Sequence, residues 1–305
     1  MESISVIIPY YNSFDKRRLD LAIESLLSQQ DINIEIVASN FYQVKKIKNV
    51  SETNLLSQSE RRPKITAGKV INSAIRVAEG KYAYISDADI IFKSTSFLSE
   101  LIQVYKKSKG NALKRPPMRR LLLEDFDDFY NLTSRTDLNS VIKEFDYSQN
   151  YIVKPMGTNR QIRVFPKFEN GRQKIFIASE KDFQEYLATE ENKGCEPKFF
   201  NQERHCGATF APTDAFIKVG GYCESFTSWG CRDADVQWKL ESIIGMDLIP
   251  NISSFEVIHL DHPKGYFDKE DWNENRKLQT TRRNQGYEFC INQDKLVYSG
   301  VQNGS

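Results

Sequence analysis

The chain has 305 residues, which is enough to bury one large hydrophobic core or two smaller ones. Its 42 Lys and Arg residues nearly balance 41 Asp and Glu residues, and the formal net charge of +1 gives no overall attraction to nucleic acid. Five widely spaced cysteines without a Cys-x-x-Cys pair argue against a disulfide framework or a zinc ribbon and favour a reducing cytoplasm.

The amino terminus enters an apolar run at once and lacks the basic segment and long apolar stretch of a signal peptide. No later stretch approaches the roughly 20 apolar residues that span a bilayer. The sequence therefore predicts a cytoplasmic protein that is at most peripherally associated with the inner face of the plasma membrane.

Strands and helices alternate in the first part of the chain. The predicted strands are 4–8, 34–38 and 82–85, and the predicted helices are 19–27, 70–78 and 97–105. Polar residues from Gln43 to Pro63 lack a clear period and predict a loop with one short, weak strand. Three strands that alternate with helices predict a parallel sheet covered on both faces, which is an α/β fold.

The pattern weakens over residues 109–172, where charged and aromatic residues cluster, and we interpret this part as an inserted or lid region. Order returns near Gly207. The elements expected after it are a helix from about 213, a Gly220-Gly221 turn, a loop through 229, a helix over 233–244 and a strand over 255–259.

Three segments that hold polar side chains follow the predicted strands directly. They are Pro9-Tyr-Tyr-Asn12, Ser39-Asn40 and Asp87-Ala-Asp89. In an open α/β sheet the ligand binds beyond the carboxyl ends of the strands, so one crevice would collect all three segments. Asp87 and Asp89 can both face one cation if the chain turns between them, and a hard cation that bridges to a diphosphate suits such oxygen ligands. Two aspartates after a strand are also common in a solvated turn or a helix cap, and the spacing alone leaves both interpretations open.

Two parts of the chain resemble known glycosyltransferases. Ser5-Val-Ile-Ile-Pro-Tyr-Tyr-Asn12, the segment 68–82 and Ser86-Asp-Ala-Asp89 resemble the path into the DxD motif of family 2 glycosyltransferases. The segments 207–222 and 226–235 resemble the carboxyl-terminal module shared by β-1,4-galactosyltransferases and bacterial chondroitin-type polymerases. The resemblance implies a GT-A type fold, in which helices flank a Rossmann-like, mostly parallel central sheet and an acceptor-side module follows.

The resemblance also implies a division of the chain into four parts. Residues 1–108 would form the nucleotide-sugar-binding half, 109–175 the inserted or lid region, 176–265 the acceptor-binding and catalytic half of the same GT-A domain, and 266–305 a helical segment or tail.

Roles for individual residues follow from the same resemblance. Asp89 would coordinate Mn²⁺ or Mg²⁺, which holds the nucleotide diphosphate, and Asp87 would contact the ribose or the metal. Asp233 would be the general base that takes the proton of the acceptor hydroxyl, as inverting transfer requires. His259 would be the late metal ligand, with His262 as its rival. Without the resemblance, a charge that complements a helix dipole is an equal interpretation of Asp233.

The expected substrate- and nucleotide-binding residues are Pro9, Tyr11, Asn12, Ser39, Lys69, Asn72, Asp87, Trp229 and Gly230. Trp229 matches an aromatic platform for a sugar, with a tryptophan of the core as the alternative. Cys231 and Arg232 depart from the Gly and Glu of the family pattern, and Ser39-Asn40 replaces its Asp-Asp, which leaves the acceptor pocket and the uracil contacts open. The basic segment 114–120 is expected to be a solvated loop, with a site for phosphate or a lipid diphosphate as the alternative.

The sequence therefore predicts an inverting, metal-dependent glycosyltransferase. It would move a hexose or N-acetylhexosamine, with galactose or N-acetylgalactosamine favoured, from a UDP-sugar to a hydroxyl of a glycan or lipid-linked oligosaccharide in bacterial surface polysaccharide synthesis. A non-catalytic glycan-binding relative remains as an alternative and would lack the base. A nucleotidyltransferase is a second alternative and would need a glycine-rich phosphate loop, which residues 10–18 do not contain. No nucleic-acid partner is expected.

Overall fold

The computed structural model describes residues 1–10, 15–40, 43–50, 52, 66–145, 151–153, 162–169, 172–177, 201–202, 204–228, 230–262 and 268–298, and between 151 and 202 it describes the backbone alone. The strands are β1 Ser3–Pro9, β2 Asn33–Ser39, β3 Val44–Ile47, β4 Tyr82–Ile85, β5 Ile90–Phe92, β6 Ala112–Lys114, β7 Met118–Leu121, β8 Tyr151–Val153, β9 Ile162–Glu169, β10 Arg172–Ile177, β11 Asn201–Gln202, β12 Thr209–Pro212, β13 Met246–Leu248 and β14 Val257–Leu260. The helices are α1 Lys16–Leu27, α2 Ala67–Val77, α3 Phe97–Lys107, α4 Phe126–Thr133, α5 Leu138–Glu144, α6 Thr213–Lys218, α7 Arg232–Ile244, α8 Lys269–Gln285 and α9 Tyr287–Tyr298.

The centre of the fold is a seven-stranded sheet in the order β13-β6-β12-β4-β1-β2-β3. β1 lies between β2 and β4 and is parallel to both. β12 continues the sheet antiparallel to β4, and β3 closes the other edge antiparallel to β2. The α/β class is therefore confirmed, with a parallel unit at the centre of the sheet.

Helices cover both faces of this sheet. Because side chains alternate along a strand, β1 contributes residues to the core on each face. Ile4, Val6 and Ile8 of β1 join an apolar cluster with α1 and α3. Ile7 joins a second cluster with α2, α6 and α7 on the other face. Among the described residues, no helix is long and apolar enough to cross a lipid bilayer.

A second, three-stranded sheet has the order β5-β14-β7, with β14 antiparallel to β5 and parallel to β7. Its apolar residues form a third cluster with Phe126 and Phe129 of α4 and Leu138 of α5. β4 ends at Ile85 in the large sheet and β5 begins at Ile90 in the small one. The segment between them therefore passes from one sheet to the other.

Part of the region that the sequence predicts as an insert lies in the core. β6 pairs with β12 and β13 in the large sheet, and β7 pairs with β14 in the small one. Leu113 and Leu121 are fully buried there. The expected boundary at residue 175 falls inside β10. The interpretation of 109–175 as a separate insert is wrong for these strands, which are too short and too rich in Lys and Arg to show a period in the sequence.

The last two helices bring charged side chains into the core. Lys239 of α7 is fully buried and donates to Val219 O at 3.1 Å, to Gly221 O at 2.7 Å and to the carboxylate of Asp294 in α9. Arg282 of α8 pairs with Asp294 and with Asp235 of α7. Two cations and two carboxylates thus neutralise one another where α7, α8, α9 and the Gly220-Gly221 turn meet.

Candidate active site

The DxD motif occupies the passage between the two sheets. Ser86 N donates to Ile7 O at 3.0 Å and extends the pairing of β4 with β1, while Leu260 N of β14 donates to Asp89 O at 2.8 Å. The large sheet thus holds the beginning of the motif, and the small sheet holds its end. Asp89 is 5% exposed, and the side chain of Asp87 is 38% exposed. Asp87 therefore opens toward solvent, whereas Asp89 points into the protein.

Two histidines face the buried carboxylate. Oδ2 of Asp89 lies 3.0 Å from Nε2 of His262 and 3.4 Å from Nε2 of His259. One ligand atom from each of the three residues lies within 4.8 Å of the others. Burial alone would raise the pKa of Asp89, but the two histidines lower it to about 2. The preference for His259 over His262 is not supported by this geometry, because both imidazoles reach the same oxygen and His262 is the nearer.

A further layer of polar contacts orients His259. Its Nδ1 lies 2.8 Å from Oδ1 of Asp261 and 3.2 Å from a guanidinium nitrogen of Arg120, which also binds Asp261. A carboxylate on Nδ1 turns Nε2 toward the metal position, as around many metal-bound histidines. Arg18 donates to Asp261 O at 2.6 Å and holds the backbone between the two histidines.

These residues fit a divalent cation. Oδ1 of Asp89 is buried and has no hydrogen-bond partner among the described residues, although a buried carboxylate oxygen is normally paired. One carboxylate and two imidazoles suit a divalent ion of the first transition row, such as Mn²⁺, better than they suit Mg²⁺. Asp89, His259 and His262 would hold it.

Two arginines of the basic segment 114–120 lie in a strand and are engaged in ion pairs. Arg119 pairs with Glu256 at 3.1 Å, and Arg120 is 8% exposed and engaged with Asp261. Both arginines lie on β7, in register with β14, so their partners come from the strand that carries His259. The expected solvated loop is therefore wrong for these two residues.

His205 also belongs to the site, and the sequence analysis missed it. Its imidazole is 5% exposed, and Nε2 lies 3.5 Å from Oδ2 of Asp87. The chain has three histidines, and all of them lie beside the DxD motif. The scarcity of histidine in the chain was the signal that could have identified this residue. The residues before Gly207 show no period from which the position of His205 could have been predicted.

Asp233 lies in the first turn of α7, and its side chain is 22% exposed. Burial raises the pKa of this carboxyl, and the negative charge of Asp87 acts in the same direction, against the opposing charge of Arg232. Cys231, with φ +65°, precedes the helix and provides no side-chain cap. A partly exposed carboxylate with a raised pKa is suited to accept a proton near neutral pH.

Asp235, the alternative base, has a structural role instead. It is fully buried, and its two oxygens accept from Nε and Nη2 of Arg282 at 2.8 and 3.0 Å. This bidentate pair leaves the carboxylate no path to an acceptor hydroxyl.

Ser39 and Asn72, which were expected to bind substrate, are also structural. The Ser39 hydroxyl is fully buried and donates to Val70 O at 3.0 Å. Asn72 is 1% exposed, and its amide accepts from Tyr222 N at 2.7 Å and donates to Tyr222 O and to Glu224. Ser39 attaches the end of β2 to α2, Asn72 attaches α2 to the segment around Tyr222, and both side chains are buried.

The other expected binding residues are placed as follows. Pro9 is buried at the end of β1, opposite Ser39, and Lys69 is exposed on α2. Tyr11, Asn12 and Trp229 lie outside the described residues. Gly230 has φ +99°, and a Cβ there would lie 2.9 Å from the Trp272 ring of α8, so only glycine fits.

The first part of the chain resembles a known protein family. Residues 5–119 match the family described as Glycosyl transferase family 2. No curated protein matches the chain.

Three solved structures are similar to this chain at low identity. The mannosyltransferase PcManGT from Pyrobaculum calidifontis, in complex with GDP-Man and Mn²⁺, is 13% identical with a TM-score of 0.45, over 96% of this chain and 69% of that one. S. aureus TarS is 13% identical with a TM-score of 0.46, over 92% and 65%. The catalytic domain of Drosophila β1,4-galactosyltransferase 7, in complex with xylobiose, is 12% identical with a TM-score of 0.43, over 90% and 80%.

The matched residues run from β1 through the DxD motif into β7, which is the part of the chain that builds the parallel sheet and the carboxylates at its end. The chain is therefore similar to glycosyltransferase family 2 over residues 5–119.

Proposed function

We propose that the chain is an inverting, metal-dependent glycosyltransferase. It moves a hexose or N-acetylhexosamine, with galactose or N-acetylgalactosamine favoured, from a UDP-sugar to a hydroxyl of a glycan. The observation that carries the proposal is the convergence of Asp89, His259 and His262 beside Asp87, in a site that also holds the partly exposed carboxylate of Asp233.

The donor end of the site is built for a nucleotide diphosphate. Asp89, His259 and His262 would hold a divalent cation, which would neutralise the charge of the bound diphosphate and of the UDP that leaves. Asp261 and Arg120 keep His259 oriented. Asp87 remains available for a ribose hydroxyl or for the metal, because its side chain is the more exposed of the two carboxylates.

The acceptor end centres on Asp233. Its carboxylate takes the proton of the acceptor hydroxyl as the oxygen attacks the sugar, so the proton ends on Asp233 and no covalent intermediate forms. The raised pKa favours this role, since a stronger base accepts the proton more readily. The guanidinium of Arg232, 3.4 Å away, keeps the carboxylate in place.

We infer the biological setting from the resemblance of segments 207–222 and 226–235 to β-1,4-galactosyltransferases and chondroitin-type polymerases. The carboxyl-terminal half then acts as an acceptor-side module, and the acceptor is a glycan or lipid-linked oligosaccharide of a bacterial surface polysaccharide. The enzyme would work in the cytoplasm, in peripheral contact with the inner face of the plasma membrane where such acceptors are exposed.

The test is a panel of nucleotide sugars, with Mn²⁺ present and with and without simple glycoside acceptors. We expect hydrolysis or transfer from UDP-galactose or UDP-N-acetylgalactosamine, and a product whose anomeric configuration is inverted. Binding of sugars without turnover would favour a glycan-binding protein. Consumption of a nucleoside triphosphate with a sugar phosphate would favour a nucleotidyltransferase, and either outcome would overturn the proposal.

A further inference from the structure

His205 is a buried polar side chain to which the proposed mechanism gives no task. Its imidazole is 5% exposed, and Nε2 makes no hydrogen bond with any described residue. The nearest acceptor, Oδ2 of Asp87, lies 3.5 Å away, which is beyond the usual 2.7–3.2 Å of an N–H···O bond. A buried donor left unpaired is costly, so such an atom points to a missing partner.

The segment that carries His205 is held by contacts other than Asp87. His205 N donates to Pro116 O at 3.0 Å. The guanidinium of the preceding residue, Arg204, donates to Arg115 O and Ile249 O, each at 2.8 Å. These contacts therefore place the backbone of His205 beside the DxD motif.

Glycine keeps the space between His205 and Asp87 open. A Cβ on Gly207 would lie 2.9 Å from Oδ2 of Asp87 and 3.4 Å from both Cε1 and Nε2 of His205. Any larger residue would press against both polar groups. The Asp87 side chain is 38% exposed, so the carboxylate that faces His205 can be reached from solvent.

The two groups are chemically complementary to a hydroxyl. In its neutral form the imidazole of His205 offers one donor and one acceptor. The facing carboxylate favours the tautomer with hydrogen on Nε2, because a lone pair there would be repelled. A hydroxyl can donate to Asp87 and accept from His205 at once, which a phosphate oxygen cannot do.

We propose that His205 and Asp87 together bind one hydroxyl group of the nucleotide sugar. The inference rests on the proposed function. The hydroxyl belongs either to the ribose or to the transferred sugar, and the two sources share the same chemistry. A pocket built to pair a hydroxyl discriminates strongly against ligands that lack it.

The experiment measures the affinity of UDP and of UDP-galactose by calorimetry with Mn²⁺, for the wild type, His205→Leu and His205→Gln. We expect His205→Leu to weaken binding about 3- to 10-fold, as for one neutral hydrogen bond. His205→Gln retains an N–H donor and should recover part of the loss. A loss for both ligands assigns the hydroxyl to the ribose, and a loss for UDP-galactose alone assigns it to the transferred sugar.

Gly207→Ala is the second variant, because it fills the gap and keeps both polar groups. If thermal unfolding shows that His205→Leu does not fold, the affinity of Gly207→Ala for UDP and UDP-galactose tests the inference instead. Cys206→Ser, at the exposed neighbouring residue, is the matched control and should bind as the wild type does. Wild-type affinity for both ligands in folded His205→Leu, or in Gly207→Ala if His205→Leu does not fold, would overturn the inference. Failure of the wild type to bind either ligand would instead overturn the proposed function, and the inference with it.

Discussion

Nε2 of His262 lies 3.0 Å from Oδ2 of Asp89. His259 reaches the same oxygen at 3.4 Å, so the two imidazoles share one carboxylate. We therefore expect His259→Ala and His262→Ala each to weaken Mn²⁺ binding, by about 10-fold or more, since loss even of an outer-shell partner typically costs 10- to 100-fold. Calorimetric titration of Mn²⁺ into the two variants checks this. Unchanged affinity in one variant would remove that histidine from the site.

The affinity for the nucleotide should depend on the cation. A diphosphate beside uncompensated carboxylates is repelled, and a divalent ion reverses the sign of the local charge. We expect UDP to bind more tightly to the wild type when Mn²⁺ is present, and Asp89→Ala to abolish the difference. Equal UDP affinity with and without Mn²⁺ in the wild type would contradict the metal assignment. Circular dichroism of Asp89→Ala is the control for folding.

The ligand set should discriminate between cations. Mg²⁺ prefers oxygen ligands in an octahedron, whereas two of the three side chains here offer imidazole nitrogen. We expect Mn²⁺ to bind more tightly than Mg²⁺, on the order of tenfold, and Zn²⁺ to bind more tightly than Mn²⁺. Competition titrations measure the order. Tighter binding of Mg²⁺ than of Mn²⁺ would show that the histidines do not ligate the metal.

Asp233 and Asp235 should respond differently to the same substitution. Asp233→Asn removes the proposed base and should lower turnover at least about 100-fold while UDP affinity changes little. Asp235→Asn breaks the buried pair with Arg282 and should lower the free energy of unfolding by about 3–5 kcal/mol. Steady-state kinetics and urea unfolding of both variants separate the two roles. Near-normal turnover in Asp233→Asn would remove it as the base.

The pH dependence of turnover gives an independent check on Asp233. A base must be deprotonated to act, and burial raises the pKa of this carboxyl above its ordinary value of 3.8. We expect turnover to fall, as the pH is lowered, at a pH higher than that of an ordinary aspartate. An acid limb at or below the ordinary value would indicate that another group takes the proton.

Glu256 should stabilise the small sheet in a pH-dependent way. Burial alone would raise the pKa of Glu256, but Lys93 and Arg119 outweigh it and lower the pKa. The stabilisation is therefore present above the pKa of about 4.3 in the unfolded chain, and it is lost as the pH falls through the lower pKa of the folded state. At pH 7 we expect Glu256→Gln to cost about 1–3 kcal/mol. Urea unfolding at pH 7 and at pH 3 should show this difference shrink, and a constant difference would contradict the assignment.

The sequence predicted the parallel half of the fold well because its signals are local. Asp15 caps α1 and Thr66 caps α2 through their own side chains, and each is followed by apolar residues at helical spacing. β1, β2 and β4 are continuous buried runs, as expected at the centre of a parallel sheet. The sequence analysis missed β6 and β7 because the residues that stabilise these strands are distant in the sequence. The contact between Arg120 and Asp261 is an example.

The site was predictable to the extent that motifs encode it. Asp87, Asp89, Asp233 and His259 each lie in a recognisable pattern, and the structure brings Asp89 and His259 together. His205 has no such pattern, because its role depends on the approach of Gly207 to Asp87. Asn72 shows the opposite error, since this polar residue of α2 attaches the helix to the segment that follows the Gly220-Gly221 turn.

The buried charges of the last two helices bear on where the catalytic unit ends. If the chain stopped before α8, Asp235 would lose Arg282, and Lys239 would keep only carbonyl oxygens and one carboxylate 4.0 Å away. An ammonium and a carboxylate stripped of their partners in an apolar interior draw in water or force the surrounding helices apart. Shortened versions of this protein that omit α8 and α9 should therefore aggregate on expression, and the smallest fragment that folds should extend to Tyr298.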